Sequence, residues 1–308
     1  MQPKSIQKSA MQTSFMHIND KQSMNAWIVA ACWLVCWFVF AMFTALLSLP
    51  AHGTSWADFT QPLAGKPAAI GSYANGCIIG AQPLALAGEG YQVIRSQRQR
   101  YYGHPNLVNF IEQLAKAFKQ QNGNDLLIAD MSMPRGGRFQ SGHRSHQSGL
   151  DVDIWFRHGQ GELTVAELES PLKQDVVTKG TLSVNQQWQT SHATMIRLAA
   201  EAPEVARIFV NPAIKQQLCN MSWQDDTWLQ KVRPWWGHSL HMHVRLCCPD
   251  SDTECQNQSV IPAGTGCDEL AWWQQQLTAP KQVENSPKKP AKPKIKVLHP
   301  QCEQILQR

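Results

Sequence analysis

The chain has little that argues for nucleic acid. Its basic surplus is only +5 over 308 residues, too small by itself to mark a surface for a polyanion. Cys-x-x-Cys is absent, which weighs against zinc held by cysteines. Lys-Thr-Gly is absent as well. Ser170-Pro-Leu-Lys173 copies the Ser-x-x-Lys of penicillin-binding serine enzymes, and Ser183-Val-Asn185 follows. Only nine residues separate Lys173 from Ser183, however, and Pro171 sits inside the first piece. Serine chemistry is set aside on those grounds.

Charge is missing altogether from Ala26 to Leu49, a run of 24 residues. About 20 apolar residues span a bilayer, and a signal h-region takes about 7–15. The run is therefore a long signal peptide or an uncleaved anchor; it is too long and too aromatic for a buried helix. Ala51-His-Gly53 fits the small-residue cleavage rule, and Met24 is an alternative start. The reading favours export with cleavage near residue 53, with a membrane anchor as runner-up. Either way the body of the protein lies outside the cytoplasm.

What the chain does have is clustered histidine. Ser141 to Phe156 packs His143, His146, Asp151 and Asp153 into eleven residues. From Leu150 to Phe156 the residues alternate, with Leu150, Val152, Ile154 and Phe156 apolar and Asp151 and Asp153 between them. That is strand period, and it sends both carboxylates to one face. Gly142 marks a turn before the histidines, and Gly149 a tight start to the strand. Gly237 to Leu246 repeats the pattern and holds three of the eleven histidines. Met242, Val244 and Leu246 form an apolar face, while His241, His243 and Arg245 share the other. Two such strands side by side aim imidazoles and a carboxylate at one point. That donor set suits catalytic zinc, which takes three protein ligands and keeps one position for water. A free histidine nearby can take and return a proton.

His146 and Asp153 stand in His-x6-Asp, and His241-Met-His243 gives His-x-His. This pair of motifs resembles the metallopeptidases that include lysostaphin and the D-alanyl-D-alanine peptidases. The longer text SGHRSHQSGLDVDIW, with RIFVNPAIKQQLC and WWGHSLHMHVRL, resembles the penicillin-insensitive murein endopeptidases from about Ile70 to Cys302. The resemblance implies an α+β fold with a small antiparallel sheet carrying a zinc site, flanked by helices and stapled by disulfides. It implies His146, Asp153 and His243 as ligands, with His143 a further ligand or a donor to the developing oxyanion. His241 is then the base, His238 orients it or stabilises the intermediate, and Asp151 supports a ligand without touching the metal. One zinc per chain is expected. Relatives can carry an Asp-x-x-His for a second metal, but Val177 to Trp188 contains neither residue, so no second metal is carried over. Arg135, Arg138 and Arg144 are candidates to receive substrate carboxylates as bidentate pairs.

Cys32 and Cys36 lie in the apolar run, and seven of the nine cysteines remain. Six suffice for three disulfides in an oxidising compartment. The family pattern implies Cys77–Cys302, Cys219–Cys267 and Cys248–Cys255, with Cys247 left over.

Elsewhere, Cys77–Gly80, Tyr91–Arg95, Leu126–Met131 and Arg207–Val210 read as strands. Leu107, Phe110, Ile111, Leu114, Ala115 and Phe118 mark a helix from Pro105, stopped at Gly123. Weaker helix signals lie near Val165–Lys173, and a helix at Ser191–Glu201 carries His192, read as a surface residue. A short helix leads to Cys219. Trp235 and Trp236 adjoin His238 and are groove candidates, whereas Trp272 and Trp273 have no evident role. Residues 281–296 hold six lysines and one glutamate among prolines, an extended linker. Its surplus suits anionic wall polymer or headgroups, and the segment suits a plain spacer equally.

The expected organisation is a signal or anchor over 1–53, a metallopeptidase domain over 54–279, and a Pro/Lys-rich tail over 280–308 tied back through Cys302. The expected function is an exported, periplasmic zinc endopeptidase, insensitive to penicillin, acting on peptidoglycan cross-links. By resemblance its substrate is the D-alanyl-diaminopimelate bridge, with the diaminopimelate-diaminopimelate bridge as a further candidate. No nucleic-acid partner is expected, and a membrane only if the N-terminal segment stays uncleaved. Two rivals stand: a D-alanyl-D-alanine dipeptidase or carboxypeptidase, and a wall-binding protein with a structural metal. The second needs a closed four-ligand site, and the spare histidines His238 and His241 argue against closure.

Overall fold

The structure, a computed structural model, describes residues 55–140, 142–279 and 297–308. The apolar run with Cys32 and Cys36, the cleavage site and the lysine-rich stretch 281–296 lie outside the described residues.

Ahead of the site, the chain makes β1 (Ala68–Ser72) and β2 (Asn75–Ile79), then β3 (Gln82–Pro83), β4 (Ala87–Gly88), β5 (Tyr91–Val93) and β6 (Tyr102–Gly103). Helix α1 (Pro105–Asn122) follows, with the six apolar residues of its periodic face all buried. The His104 imidazole caps its start by accepting from the Asn106 amide, and Gly123 closes it at φ 74°, a left-handed turn that favours glycine. Next come β7 (Leu126–Ile128), β8 (Asp151–Trp155), α2 (Val165–Glu169), α3 (Thr190–Glu201), β9 (Val205–Val210) and α4 (Pro212–Asn220). The chain ends with β10 (Val232–Pro234), β11 (His241–Leu246), β12 (Cys255–Gln256), α5 (Leu270–Thr278) and α6 (Pro300–Gln307).

The main sheet has seven strands in the order β10-β9-β11-β8-β7-β5-β4. It is antiparallel from β9 through β11 and β8 to β7, with parallel pairs on either side. The fold is α+β, and the antiparallel centre carries the candidate site. Leu150, Val152, Ile154 and Phe156 join Met242, Val244, Leu246 and Ile208 in one core with Leu107, Phe110, Ile111, Ala193 and Ile196 of α1 and α3. Each large side chain buried there contributes about 1.5–3 kcal/mol. The other face of β8 is covered too, so Asp151 and Asp153 are buried as fully as their apolar neighbours. Alternation gives the sides of a strand but not what covers the second side.

A smaller core of Trp56, Ile70, Cys77, Met133, Phe139, Cys302 and Ile305 seats α6 against β1 and β2. Among the described residues the disulfides are Cys77–Cys302, Cys219–Cys267 and Cys248–Cys255, the pairs that the resemblance implies, and Cys247 is exposed and unpaired among them. The Cys77–Cys302 bond spans 225 residues of sequence and fastens the C-terminal helix behind Phe139, whose ring stacks on His146 at 5.8 Å. Among the described residues no helix is long and apolar enough to cross a membrane.

His192 corrects the reading from sequence: it is wholly buried. Its Nδ1 accepts from the Gln189 amide at the start of α3. Its ring is packed among Phe156, His158 and Trp188 at 5.0–5.6 Å. Those neighbours arrive from distant parts of the chain, so the local pattern does not announce them.

Candidate metal centre

Strands β8 and β11 pair antiparallel with His243 opposite Asp153 and Arg245 opposite Asp151. On one face this register places two carboxylates, two imidazoles and a guanidinium within side-chain reach. The loop from Gly142 to Gly149 folds over that face. It is pinned where the His146 amide donates to Asp151 Oδ2 at 3.0 Å. Gly149 has φ 77°, and a Cβ there would stand 2.5 Å from Ile78 Cδ1, so the start of β8 favours glycine. His146 itself has φ 68° and His238 φ 51°. A left-handed backbone at a residue other than glycine costs about 1–3 kcal/mol and collects at functional sites.

Asp153 is the hub. Its Oδ1 lies 3.5 Å from His146 Nε2 and 3.2 Å from His243 Nδ1. Its Oδ2 lies 3.3 Å from His143 Nε2 and 3.6 Å from His241 Nε2. One donor atom each from His143, His146, Asp153 and His243 falls within 4.8 Å of the others. The fit to a cation rests on orphaned atoms. Both ring nitrogens of the fully buried His146, together with Asp153 Oδ1 and His241 Nε2, have no hydrogen-bond partner among the described residues. Leaving a buried polar atom unpaired costs about 1–3 kcal/mol. A divalent cation held by imidazole nitrogen and carboxylate oxygen removes several such costs at once, and this donor set suits zinc.

Charge is arranged accordingly. Burial alone would raise the pKa of Asp153, but His241 and then His146 outweigh it and hold the carboxyl well below the usual range. Burial would likewise lower His243, but the Asp151 carboxylate and its hydrogen bond, with the Asp153 carboxylate nearby, lift it to about 9. Asp151 is buried too, and Arg245 and His243 hold it far below the carboxylate range. Burial lowers His143 and His241. It lowers His238 to about 4, helped by His241 and His243. The His238 ring sits 5.2 Å from that of His241, with Nδ1 3.1 Å from the Trp236 carbonyl.

Beside these residues runs a groove of about 330 Å³, lined by Arg144, Phe209, Trp235, His238, His243 and Arg245 among others. A family model described as penicillin-insensitive murein endopeptidase matches residues 69–307. The chain belongs to that family. Relatives bearing that description include a protein of Pectobacterium atrosepticum, 48% identical over 268 residues, covering 86% of this chain and 93% of the relative. One from Haemophilus influenzae is 47% identical over 280 residues, with 86% and 93% covered. One from Yersinia enterocolitica is 50% identical over 256 residues, with 82% and 90% covered.

Within this family member the three arginines part company. Arg144 stands on the groove wall, and Arg138 is exposed. Arg135 is turned away: its guanidinium lies 3.8 Å over the Phe59 ring, and its Nη1 donates to the Ile305 carbonyl at 3.2 Å. The apolar floor that α6 brings to that side explains the departure, and Arg135 is withdrawn as a carboxylate receptor. Trp235 lines the groove, while Trp236 packs on Trp273 at 4.8 Å.

Two residues of the centre carry no role in the sequence reading. Asp130 is buried behind His143 Nε2 at 4.0 Å and also receives Arg100 Nη1 at 2.9 Å. Its signal is faint, a single acid inside the apolar run Leu126–Met131. Arg245 donates Nε–H to Asp151 at 2.7 Å and lies 4.1 Å over the Tyr73 ring. Its place on the face shared with His241 and His243 was the available clue.

Proposed function

We propose that the chain is an exported zinc endopeptidase that hydrolyses the peptide cross-links of peptidoglycan in the periplasm. The observation that carries the reading is His146, fully buried, facing Asp153, with neither ring nitrogen hydrogen-bonded among the described residues. Family membership supports the substrate class. The proposed organisation is a signal segment to residue 53, the enzyme domain over 54–279, and a tail returned by Cys302.

His146, Asp153 and His243 would hold the ion, with His143 as a fourth ligand or as a donor to the scissile carbonyl oxygen. A zinc ion held by these residues would supply polarisation of a carbonyl and a water made nucleophilic near neutral pH. His241, kept neutral by burial, takes the proton of the attacking water and returns it to the leaving amine. His238, tied to the Trp236 carbonyl, orients His241 or donates to the negative charge developing on the carbonyl oxygen. Asp151 holds the ring of His243 and the amide of His146. Arg144 and Arg138 receive carboxylates of the stem peptide, and the bond cut is D-alanyl-diaminopimelate. The groove lined by His238 and His243 favours catalysis over a closed structural metal site.

The test is a digest of purified cross-linked muropeptide dimers, followed by mass spectrometry, with a chelator in one arm, added zinc in another and a β-lactam as control. Dimers should become monomers in the zinc and β-lactam arms and persist with the chelator. Release of free alanine from monomeric stems alone would replace this reading with a carboxypeptidase.

A further inference from the structure

The tryptophans left without a role above lie on one surface. Trp236 and Trp273 meet edge to face at 4.8 Å between ring centroids, and Trp273 meets Trp272 in the same way at 4.9 Å. Rings lead from the metal centre toward the patch, His243 to Phe209 at 5.4 Å and Phe209 to Trp235 at 6.0 Å, and Trp236 of the patch is the next residue of the chain. Three of these indoles stay open, Trp235 at 58%, Trp236 at 46% and Trp272 at 53% relative exposure. A single exposed apolar ring needs no explanation, but adjoining ones mark a surface that meets something.

The base of this surface is fixed. Leu270 of α5 is buried, Cys267 just before it is bonded to Cys219 of α4, and Glu269 pairs with Arg233 of β10. The outer side of α5 is therefore held out by a stapled support. It is also neutral: Leu270–Thr278 contains no charged residue, and Gln274, Gln275 and Gln276 are exposed beside the indoles.

Flat π faces flanked by amides suit pyranose rings. The C–H face of a sugar packs on indole, and hydroxyl and acetamide groups exchange hydrogen bonds with glutamine. An anionic polymer would call for arginine or lysine in the patch, and a lipid surface for basic residues around the rings; α5 carries neither. The peptides of murein are borne on glycan strands, so a surface one residue along from the groove proposed to take the peptide is placed to meet the sugars. We infer that Trp236, Trp272 and Trp273, with the α5 glutamines, form a platform for the neutral N-acetylhexosamine units of the strand that bears the scissile peptide. The inference rests on the reading of the groove as a murein peptidase site.

The experiment uses the full chain and its Trp272→Gln and Trp272→Gln/Trp273→Gln variants. Binding is measured by tryptophan fluorescence and co-sedimentation, on glycan strands stripped of peptide by an amidase and on phosphatidylglycerol vesicles. Cleavage is measured on sugar-free cross-linked peptide dimers and on intact sacculi. Wild type should bind stripped strands, and the double variant, which loses two ring contacts, about 10-fold more weakly, or about 1.4 kcal/mol. The single variant, which removes only the open ring, should fall between them. Cleavage of sugar-free dimers should stay at the wild-type rate in both variants, while cleavage of sacculi drops. Equal strand binding by all three proteins overturns the platform, as does wild-type binding to vesicles without binding to strands. Loss of a dimer in the variants with no strand binding by wild type overturns it in favour of a self-association surface. If wild type leaves sugar-free dimers intact yet binds strands through these rings, the platform stands and the peptidase reading of the groove falls.

Discussion

Asp151 takes the Nε2 edge of His243 at 2.9 Å and Arg245 Nε–H at 2.7 Å on one oxygen, and gives its other oxygen to the His146 amide at 3.0 Å. One carboxylate thus orients an imidazole of β11 and pins the loop that carries His146. With the Nε2 hydrogen on Asp151, the Nδ1 of His243 is left facing Asp153. Outer partners of this kind are worth about 10–100-fold in metal affinity. Asp151→Asn keeps the shape and removes the charge, so zinc affinity should fall by about that factor. Competition against a fluorescent chelator measures the loss. Activity lost at limiting zinc should return at excess zinc; unchanged affinity would remove Asp151 from the support of the site.

His243 sits between Asp151 and Asp153 with its pKa raised to about 9. Below that pH the metal-free ring keeps its proton, and an ion on Nδ1 must displace it. His143 and His241 are lowered and Asp153 lies far below neutrality, so these groups add no proton near pH 7. Zinc affinity should therefore climb about tenfold per pH unit through neutrality and level off above about pH 9. Calorimetry in two buffers of different ionisation enthalpy should find about one proton released from the protein for each ion bound near pH 7. Release of none would mean that His243 is already neutral in the metal-free protein.

The sequence makes the centre legible because its residues are local in two stretches. Asp151 and Asp153 differ by one pleat, as do His241 and His243, and the β8–β11 register joins the two faces. What escapes is what other segments bring. Arg135 looks like a site residue by its distance along the chain, yet Phe59 and Ile305 claim it. Asp130 reaches His143 only because β7 pairs with β8 in the sheet. His192 has a polar local sequence and is buried by Phe156, His158 and Trp188.

Base and ligands should separate on mutation. His146→Ala and His243→Ala remove donors from the cluster around Asp153 and should yield protein without zinc and without turnover. His241→Ala leaves those donors in place and should keep its metal while turnover falls about 10²–10⁴-fold, the range for a general base. Metal content by mass spectrometry and rates on muropeptide dimers decide the matter. Near-normal turnover in His241→Ala would transfer the base role to His238.

A second pair of imidazoles should make the fold sensitive to acid. His158 and His192 meet at 5.0 Å. Burial lowers His158 to about 3, with His192 adding repulsion, and lowers His192 to about 4. Unfolding returns both to about 6.5, so below that pH the unfolded chain binds protons that the native state refuses. Their neutrality costs nothing above about pH 6.5; as pH falls below it, stability drops until the folded pKa values are reached. By linkage the loss reaches up to about 2 kcal/mol per ring at about pH 5. His192→Phe removes one titrating ring and also the acceptor for the Gln189 amide, so it should lower stability at neutral pH by about 1 kcal/mol. Its discriminating effect lies in the slope: urea midpoints between about pH 6.5 and pH 4 should fall less steeply than those of wild type. Parallel slopes would show that these imidazoles are already protonated in the native protein, or that the acid transition is governed by the histidines around Asp153.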